Sequence, residues 1–125
     1  MSEDANIADA EALILRARGN DEVQMIVAIV SLGMCRALAQ RAISPSYACA
    51  RFFGPALLGR LERLGVEPRL RDAVHLATEL EDVFDIVPSA FDDSLQEIER
   101  NLLAAIETLA TEPREGGRWL VPPDI

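Results

Sequence analysis

The sequence has no lysine, one histidine and few aromatic residues. All 12 of its basic residues are therefore Arg, and its aromatic residues are four Phe, one Tyr and one Trp. Zinc enzymes that hold their metal on one helix use two His four residues apart, so that class of site is excluded. The shortage of aromatic rings also means that the core must consist mainly of aliphatic side chains.

Cysteines and recognisable catalytic or targeting motifs are equally sparse. Cys35 and Cys49 are the only cysteines and lack C-x-x-C spacing, so we expect small buried hydrophobes rather than redox or disulfide residues. The opening sequence MSEDANIADA has neither a basic start nor an apolar stretch, so no secretory signal is predicted. No G-x-S-x-G sequence and no Gly-rich phosphate loop occurs. These absences favour a cytoplasmic protein and lean against an enzyme.

Acidic residues outnumber basic ones, and the two kinds are separated along the chain. The net charge is −9. Residues 51–71 hold five Arg against two Glu, whereas residues 72–99 hold nine acidic residues and no Lys or Arg. An acidic surface repels a phosphate backbone, so we expect no nucleic-acid partner. The partner that this charge favours is a protein with a basic surface.

The composition predicts an all-α fold. Half of the residues are hydrophobic, and helix-favouring residues dominate. We expect one helical domain, residues 1–112, of about five helices around a central apolar helix, followed by an irregular tail, residues 113–125. The central helix is predicted at residues 22–41, because Ser31 is the only polar side chain from Met25 to Cys35 and an all-round apolar helix is buried. This run is shorter than the ~20 apolar residues that span a bilayer, so no membrane partner is expected.

Local signals place the helices on either side of the central one. Residues 5–18 have helical apolar spacing, although residues 12–15 alone also fit a strand. Ser-Pro at residues 44–45 and Glu-Pro at residues 67–68 are typical helix starts, because proline fits the first helical position. Gly-Pro at residues 54–55 is expected to break or kink the helix between these two starts.

The last helix, which Ser89 is expected to cap, has the most regular apolar pattern. Its apolar residues are spaced 4-3-4-3-4 and are Phe91, Leu95, Ile98, Leu102, Ala105 and Leu109. We expect this face to point to the core, because a coiled-coil seam needs more heptads than are present. A homodimer through this helix is the alternative. In the tail, Trp119 is expected to dock on the body or on a second copy.

The fourth predicted helix, which runs from Pro68 to Pro88, carries the candidate site. Its core face is predicted to contain Ala73, Leu76, Leu80, Val83 and Phe84. The residues predicted to face a partner are Thr78, Glu79, Glu81, Asp82 and Asp85. The four carboxylates fall in the last turns of the helix, where the dipole disfavours anions, and Glu81 repels Asp85 four residues later. Something must therefore compensate for this charge.

Three kinds of partner can compensate for the negative charge of this helix. An Arg of residues 51–71 can reach across and pair with Glu79 or Asp82. Alternatively, His75, Glu79 and Asp82 share one border of the helix at i, i+4 and i+7 and can bind a hard divalent cation. The third possibility is a basic surface on a partner protein, which would be steered by this charge.

The segment His75–Val83, H-L-A-T-E-L-E-D-V, followed by I-V-P, resembles the signature of a small bacterial protein family of unknown function. The pattern expected in that family is H-L-G-T-E-L-E-D-V, then Leu or Ile, any residue and Pro. This chain departs from it at Ala77, where Gly is expected, and at Phe84-Asp85, where a polar pair is expected. Residues 47–55, with aromatic rings before a proline, are similar too, and the resemblance extends over residues 21–108. It implies an all-helical cytoplasmic protein without a known activity.

The preferred function is a non-catalytic protein–protein interaction module of the bacterial cytoplasm. An immunity or antitoxin-like role is one form of it, because an acidic helix can cover the basic active site of a nuclease. The first alternative is a metal-binding protein or enzyme that uses His75, Glu79 and Asp82. The second is a structural homo-oligomer held by the last helix. No catalytic residue and no cofactor is predicted.

Overall fold

Proline and glycine residues set most of the helix boundaries. The computed structural model describes residues 11–111 and 117–122 of the chain. Within them lie six α-helices and one short 3-10 turn at Pro88–Ala90. The α-helices are α1 (Asn20–Ala39), α2 (Pro45–Arg51), α3 (Pro55–Leu64), α4 (Pro68–Thr78), α5 (Leu80–Ile86) and α6 (Phe91–Ala110). The prediction of an all-α fold is confirmed.

The predicted proline starts are confirmed at α2 and α4. The Oγ of Ser44 accepts a hydrogen bond from the backbone N–H of Tyr47 at 3.0 Å, which caps α2. The carboxylate of Glu67 caps α4 by accepting the N–H groups of Arg69 and Leu70 at 2.9 and 3.3 Å. Both caps satisfy first-turn donors that have no partner within their own helix.

A left-handed residue ends α1. Arg41 has φ 59°, and its N–H donates to the carbonyl of Leu38 at 3.0 Å, while the N–H of Ala42 donates to that of Ala37 at 2.9 Å. This pair of bonds is the Schellman arrangement, in which glycine is the usual left-handed residue. In this chain the left-handed position is occupied by Arg41, whose side chain forms hydrogen bonds. Its guanidinium donates to the Leu38 carbonyl and to Asp92 of α6 at 3.1 and 3.3 Å.

The helix at the centre of the fold is α6. All six residues of its predicted apolar face are buried, so the prediction of a core-facing stripe is confirmed. α6 packs along both α1 and α4, and the Arg36–Glu99 and Arg41–Asp92 ion pairs show that it runs antiparallel to α1. The central position predicted for residues 22–41 therefore belongs to α6. Its start also differs, because the 3-10 turn precedes Phe91 and Ser89 does not cap the helix.

α1 is buried along one face rather than all round. The residues of that face are Gln24, Val27, Ala28, Ser31, Cys35 and Leu38. On the opposite side, Ile29 is 44% exposed. By length and composition alone, α1 is the one helix of the described chain that is both long and apolar enough to cross a membrane. Core helices of soluble proteins pass the same test.

The helix predicted for residues 5–18 is wrong where the structure describes it. Residues 11–18 are not helical, and residues 5–10 lie outside the described residues. Leu15 instead forms an isolated antiparallel bridge with Leu120. The N–H of Arg16 donates to the carbonyl of Trp119 at 2.7 Å, and the N–H of Val121 donates to that of Ile14 at 2.9 Å. The strand alternative for residues 12–15 is closer to the structure, because a distant segment supplies its hydrogen bonds.

Candidate functional site

The helix predicted between Pro68 and Pro88 is divided at Glu79. α4 ends at Thr78, Glu79 has φ −96° and ψ −3°, and α5 begins at Leu80. Two local bonds accompany the break. The hydroxyl of Thr78 donates to the carbonyl of His75 at 2.6 Å, and the N–H of Glu79 donates to the carbonyl of Leu76 at 3.1 Å. The candidate residues therefore lie on two helices that meet at this break.

The side chain of Cys49, on α2, lies at the break. Its Sγ donates to the carbonyl of Ala77 at 3.7 Å, and the backbone N–H of Glu81 donates to the same sulfur. In an unbroken α-helix the Glu81 N–H would bond to the Ala77 carbonyl, four residues earlier. The thiol thus takes the place of one backbone hydrogen bond, and side chains inserted in this way kink helices. Sequence reasoning missed this role because no local signal links Cys49 to α4.

The break changes the electrostatics of the acidic residues. Glu81 and Asp82 lie in the first turn of α5, where the positive end of the helix dipole favours anions. The sequence had placed both near the unfavourable end of one long helix. Asp85 alone remains in the last turn, so the predicted charge conflict is smaller than expected.

The five residues predicted to face a partner form one continuous surface feature, which we call the acidic ridge: Thr78, Glu79, Glu81, Asp82 and Asp85. Glu79, Asp82 and Asp85 are exposed, whereas Thr78 and Glu81 are half-buried. The ridge follows the end of α4 and continues along α5, with Glu79, Asp82 and Asp85 as its exposed carboxylates.

Arginines do not neutralise the ridge within the part of the chain that the structure describes. Of the Arg residues expected to do so, Arg71 pairs with Asp72 at 3.1 Å, and Arg63 donates to the carbonyl of Gly59 at 3.3 Å. The guanidinium of Arg51 lies over the ring of Tyr47, 5.1 Å from its centroid. No ion pair between an Arg and a ridge carboxylate occurs among the described residues.

His75 and Glu79 are brought together, but they do not form a three-ligand group with Asp82. The Nε2 of His75 lies 3.4 Å from the Oε1 of Glu79 on an exposed turn. Among residues 11–111 and 117–122, no group of three His, Cys, Asp or Glu side chains is placed to hold a metal ion. His75 also lines a shallow recess of about 150 Å³ with Arg71 and Asp72. That volume is small beside the ~300–1,000 Å³ of most ligand sites.

Exposed apolar side chains adjoin the acidic ridge. Ile86 is 76% exposed, Val87 48% and Phe84 37%. Phe84 was assigned to the core face, but only part of its ring is covered. It packs edge-on against Phe91 at 5.0 Å between centroids, and the guanidinium of Arg41 lies 5.9 Å from its centroid. Carboxylates and bare hydrophobic groups therefore alternate along α5.

The two thiols are protonated at neutral pH. Burial raises the pKa of Cys49 above its usual value; the Glu81 N–H lowers it, and the nearby carboxylates of Glu81 and Asp82 raise it further. Burial and the charge of Glu99 raise the pKa of Cys35 from 9.0 to about 12. Both cysteines are free. A neutral thiol is a poor nucleophile and a poor metal ligand, so neither residue has the character of a catalytic cysteine.

The fold and the site together define a small all-α protein that presents an acidic surface interleaved with exposed apolar side chains. Comparison with known protein families identifies the family to which this chain belongs. The chain belongs to the family described as "Protein of unknown function (DUF3969)", whose model matches residues 18–121. The predicted membership of a family of unknown function is confirmed. No curated protein matches the chain, and no solved structure does.

Proposed function

We propose that this protein is a non-catalytic interaction module of the bacterial cytoplasm that binds a basic protein through the acidic ridge. The observation that carries the proposal is the charge of that surface. Glu81, Asp82 and Asp85 have no arginine partner among the described residues, although the chain carries 12 basic residues. An unneutralised cluster of this kind favours a partner that supplies the opposite charge.

The apolar neighbours of the ridge supply the second component of an interface. Binding energy in protein complexes is concentrated in a few apolar or aromatic residues surrounded by a polar rim. Ile86 and Val87, next to the ridge, are the exposed hydrophobic groups suited to that role. The carboxylates then set orientation and association rate, while the apolar groups slow dissociation.

The segment His75–Val83 is, in this proposal, the shared signature of the family. Its residues have two roles, one structural and one in binding. Ala77 supplies the carbonyl that accepts the Cys49 thiol, while Glu79 and Asp82 carry the exposed charge. An alignment of family members supports the idea if this segment varies less than the equally exposed face of α3, and contradicts it if both vary alike.

An immunity or antitoxin-like role is the specific form that the charge favours. Basic active sites of nucleases bind phosphates, and a row of carboxylates can occupy the same positions. Complexes of this type associate quickly at low salt and more slowly as salt screens the charges. A steep salt dependence of the association rate is therefore expected for the true partner.

The test is affinity capture from the native bacterium with matched variants. The ridge variant carries Asp82→Asn and Asp85→Asn. The control carries Asp93→Asn and Glu97→Gln, two exposed acids of α6 with the same total charge change. A basic protein retained by the wild type and the control, and lost from the ridge variant, supports the proposal.

The apolar component is tested separately on the captured protein. We expect Ile86→Ser to raise its dissociation rate, whereas Leu103→Ser, at a residue that is 49% exposed on α6, leaves the rate unchanged. If every captured protein is retained equally by the ridge variant and the wild type, the ridge is not the binding surface and the proposed function is wrong.

A further inference from the structure

The bridge between the two end segments of the described chain encloses one side of an open cavity. Its volume is about 490 Å³, which is within the ~300–1,000 Å³ range of small-molecule sites. The described side chains that line it are Arg16, Arg18, Glu22, Arg118, Trp119, Leu120, Val121 and Pro122. This cavity lies at the N-terminal end of α1 and is separate from the acidic ridge of α4 and α5.

The lining is positively charged although the whole chain is acidic. Arg16, Arg18 and Arg118 line the cavity, and Glu22 is the one acidic side chain among its described lining residues. None of the three arginines forms an ion pair with a described carboxylate. Guanidinium groups that line one cavity repel one another, and an anion bound between them relieves that repulsion. In a chain of net charge −9, this local excess of positive charge needs an explanation.

The first turn of α1 adjoins the cavity through Glu22. Gly19, directly after Arg18, is the N-cap of α1 and has no side chain with which to satisfy the first-turn N–H groups. The N-terminus of a 20-residue helix carries a partial positive charge that attracts anions. Asp21 and Glu22 already place negative charge in this first turn, so it is the three arginines that point to an anion in the cavity.

We propose that this cavity binds a small oxyanion, that is, a molecule that carries phosphate or carboxylate groups. Arginine forms bidentate hydrogen bonds with both groups. The bridge holds Arg16 opposite Trp119 through the 2.7 Å hydrogen bond between their backbones. Directly opposite residues of an antiparallel pair present their side chains on the same face. The half-buried indole of Trp119 therefore forms one wall beside the guanidinium of Arg16.

The cavity contains its own optical probe, because Trp119 is the only tryptophan of the chain. The experiment titrates the full chain with inorganic phosphate, citrate and adenosine monophosphate at constant ionic strength, with chloride as the reference anion. Trp119 fluorescence is recorded during each titration. Titration calorimetry is used as well, because it detects binding that does not change the fluorescence. Saturable binding of phosphate or adenosine monophosphate assigns a phosphorylated ligand, whereas binding of citrate alone assigns a carboxylate.

Variants connect the signal to the arginines. Arg16→Gln and Arg118→Gln each remove one guanidinium from an exposed position, and we expect each to weaken binding by about tenfold or more. Arg100→Gln, on an exposed part of α6 away from the cavity, is the control and should bind like the wild type. Circular dichroism confirms that each variant is folded.

Two results would overturn the proposal. The first is the absence of saturable binding of all three probes by both methods up to millimolar concentration. The second is binding that Arg16→Gln and Arg118→Gln leave intact, or that Arg100→Gln weakens equally, because either pattern means general attraction between charges. Neither result bears on the acidic ridge, so this proposal and the proposed function fail independently.

Discussion

Leu102 gives the sharpest test of the packing around α6. Its side chain is fully buried, with 0% of its surface exposed, on the helix that packs between α1 and α4. Truncation of such a leucine to alanine removes apolar contacts and leaves a cavity, at a cost of about 3–5 kcal/mol. A chain of 125 residues has a free energy of unfolding of order 10 kcal/mol. Leu102→Ala is therefore expected to remove about a third to a half of the free energy of unfolding.

The adjacent residue is a matched control. Leu103 has the same side chain on the same helix but is 49% exposed, so Leu103→Ala should cost less than about 1 kcal/mol. Urea unfolding followed by far-UV circular dichroism measures both variants against the wild type. Helix propensity changes equally in the two substitutions and cancels in the comparison. Equal costs for the two variants, or a larger cost at Leu103, would show that α6 does not lie at the centre of the core.

The remaining predictions concern two helix ends, one buried hydroxyl and the Cys35 thiol. Arg41→Gly should be more stable than Arg41→Ala by about 1 kcal/mol in thermal unfolding, because both lose the guanidinium contacts and only glycine suits φ 59° without strain. Ser31→Ala should raise the free energy of unfolding in urea by about 1 kcal/mol, because the buried Ser31 hydroxyl has no hydrogen-bond partner within the described chain. Ser44→Ala removes the α2 cap and should lower the free energy of unfolding by about as much. The folded state raises the pKa of Cys35 from 9.0 to about 12, so the stability that the protonated thiol contributes is complete below pH 9 and is lost as the pH rises toward 12. Above pH 9, the urea midpoint of the wild type should therefore fall more steeply with pH than that of Cys35→Ala. Parallel slopes would contradict the burial of this thiol.

Local sequence determines much of the helical layout. The proline starts at Ser44 and Glu67 and the apolar stripe of α6 are written in residues close to one another in the chain, so they could be predicted. The acidic ridge was also found from sequence, because charge density requires no knowledge of tertiary contacts. The exposure of its apolar neighbours was not predicted, since the cover of Phe84 depends on its contacts with Phe91 and Arg41.

The features that were missed depend on contacts between distant residues. A thiol on α2 interrupts the helical segment that carries the ridge, and no residue near Ala77 indicates that Cys49 will accept the Glu81 N–H. Likewise, residues 12–15 take their backbone partner from a segment roughly a hundred residues away. The burial of α1 was overestimated for a different reason. Hydropathy records how apolar a helix is, but not which of its faces find a partner.

The pairing of Leu15 with Leu120 has a consequence for how the molecule is made. Closing so long a loop costs conformational entropy, and the second half of the contact is synthesised only after the six described helices. The arginine-lined cavity is thus completed after the described helices have been synthesised. A chain truncated before Trp119 would be expected to assemble its helical core and expose an intact acidic ridge, yet possess no anion site at all.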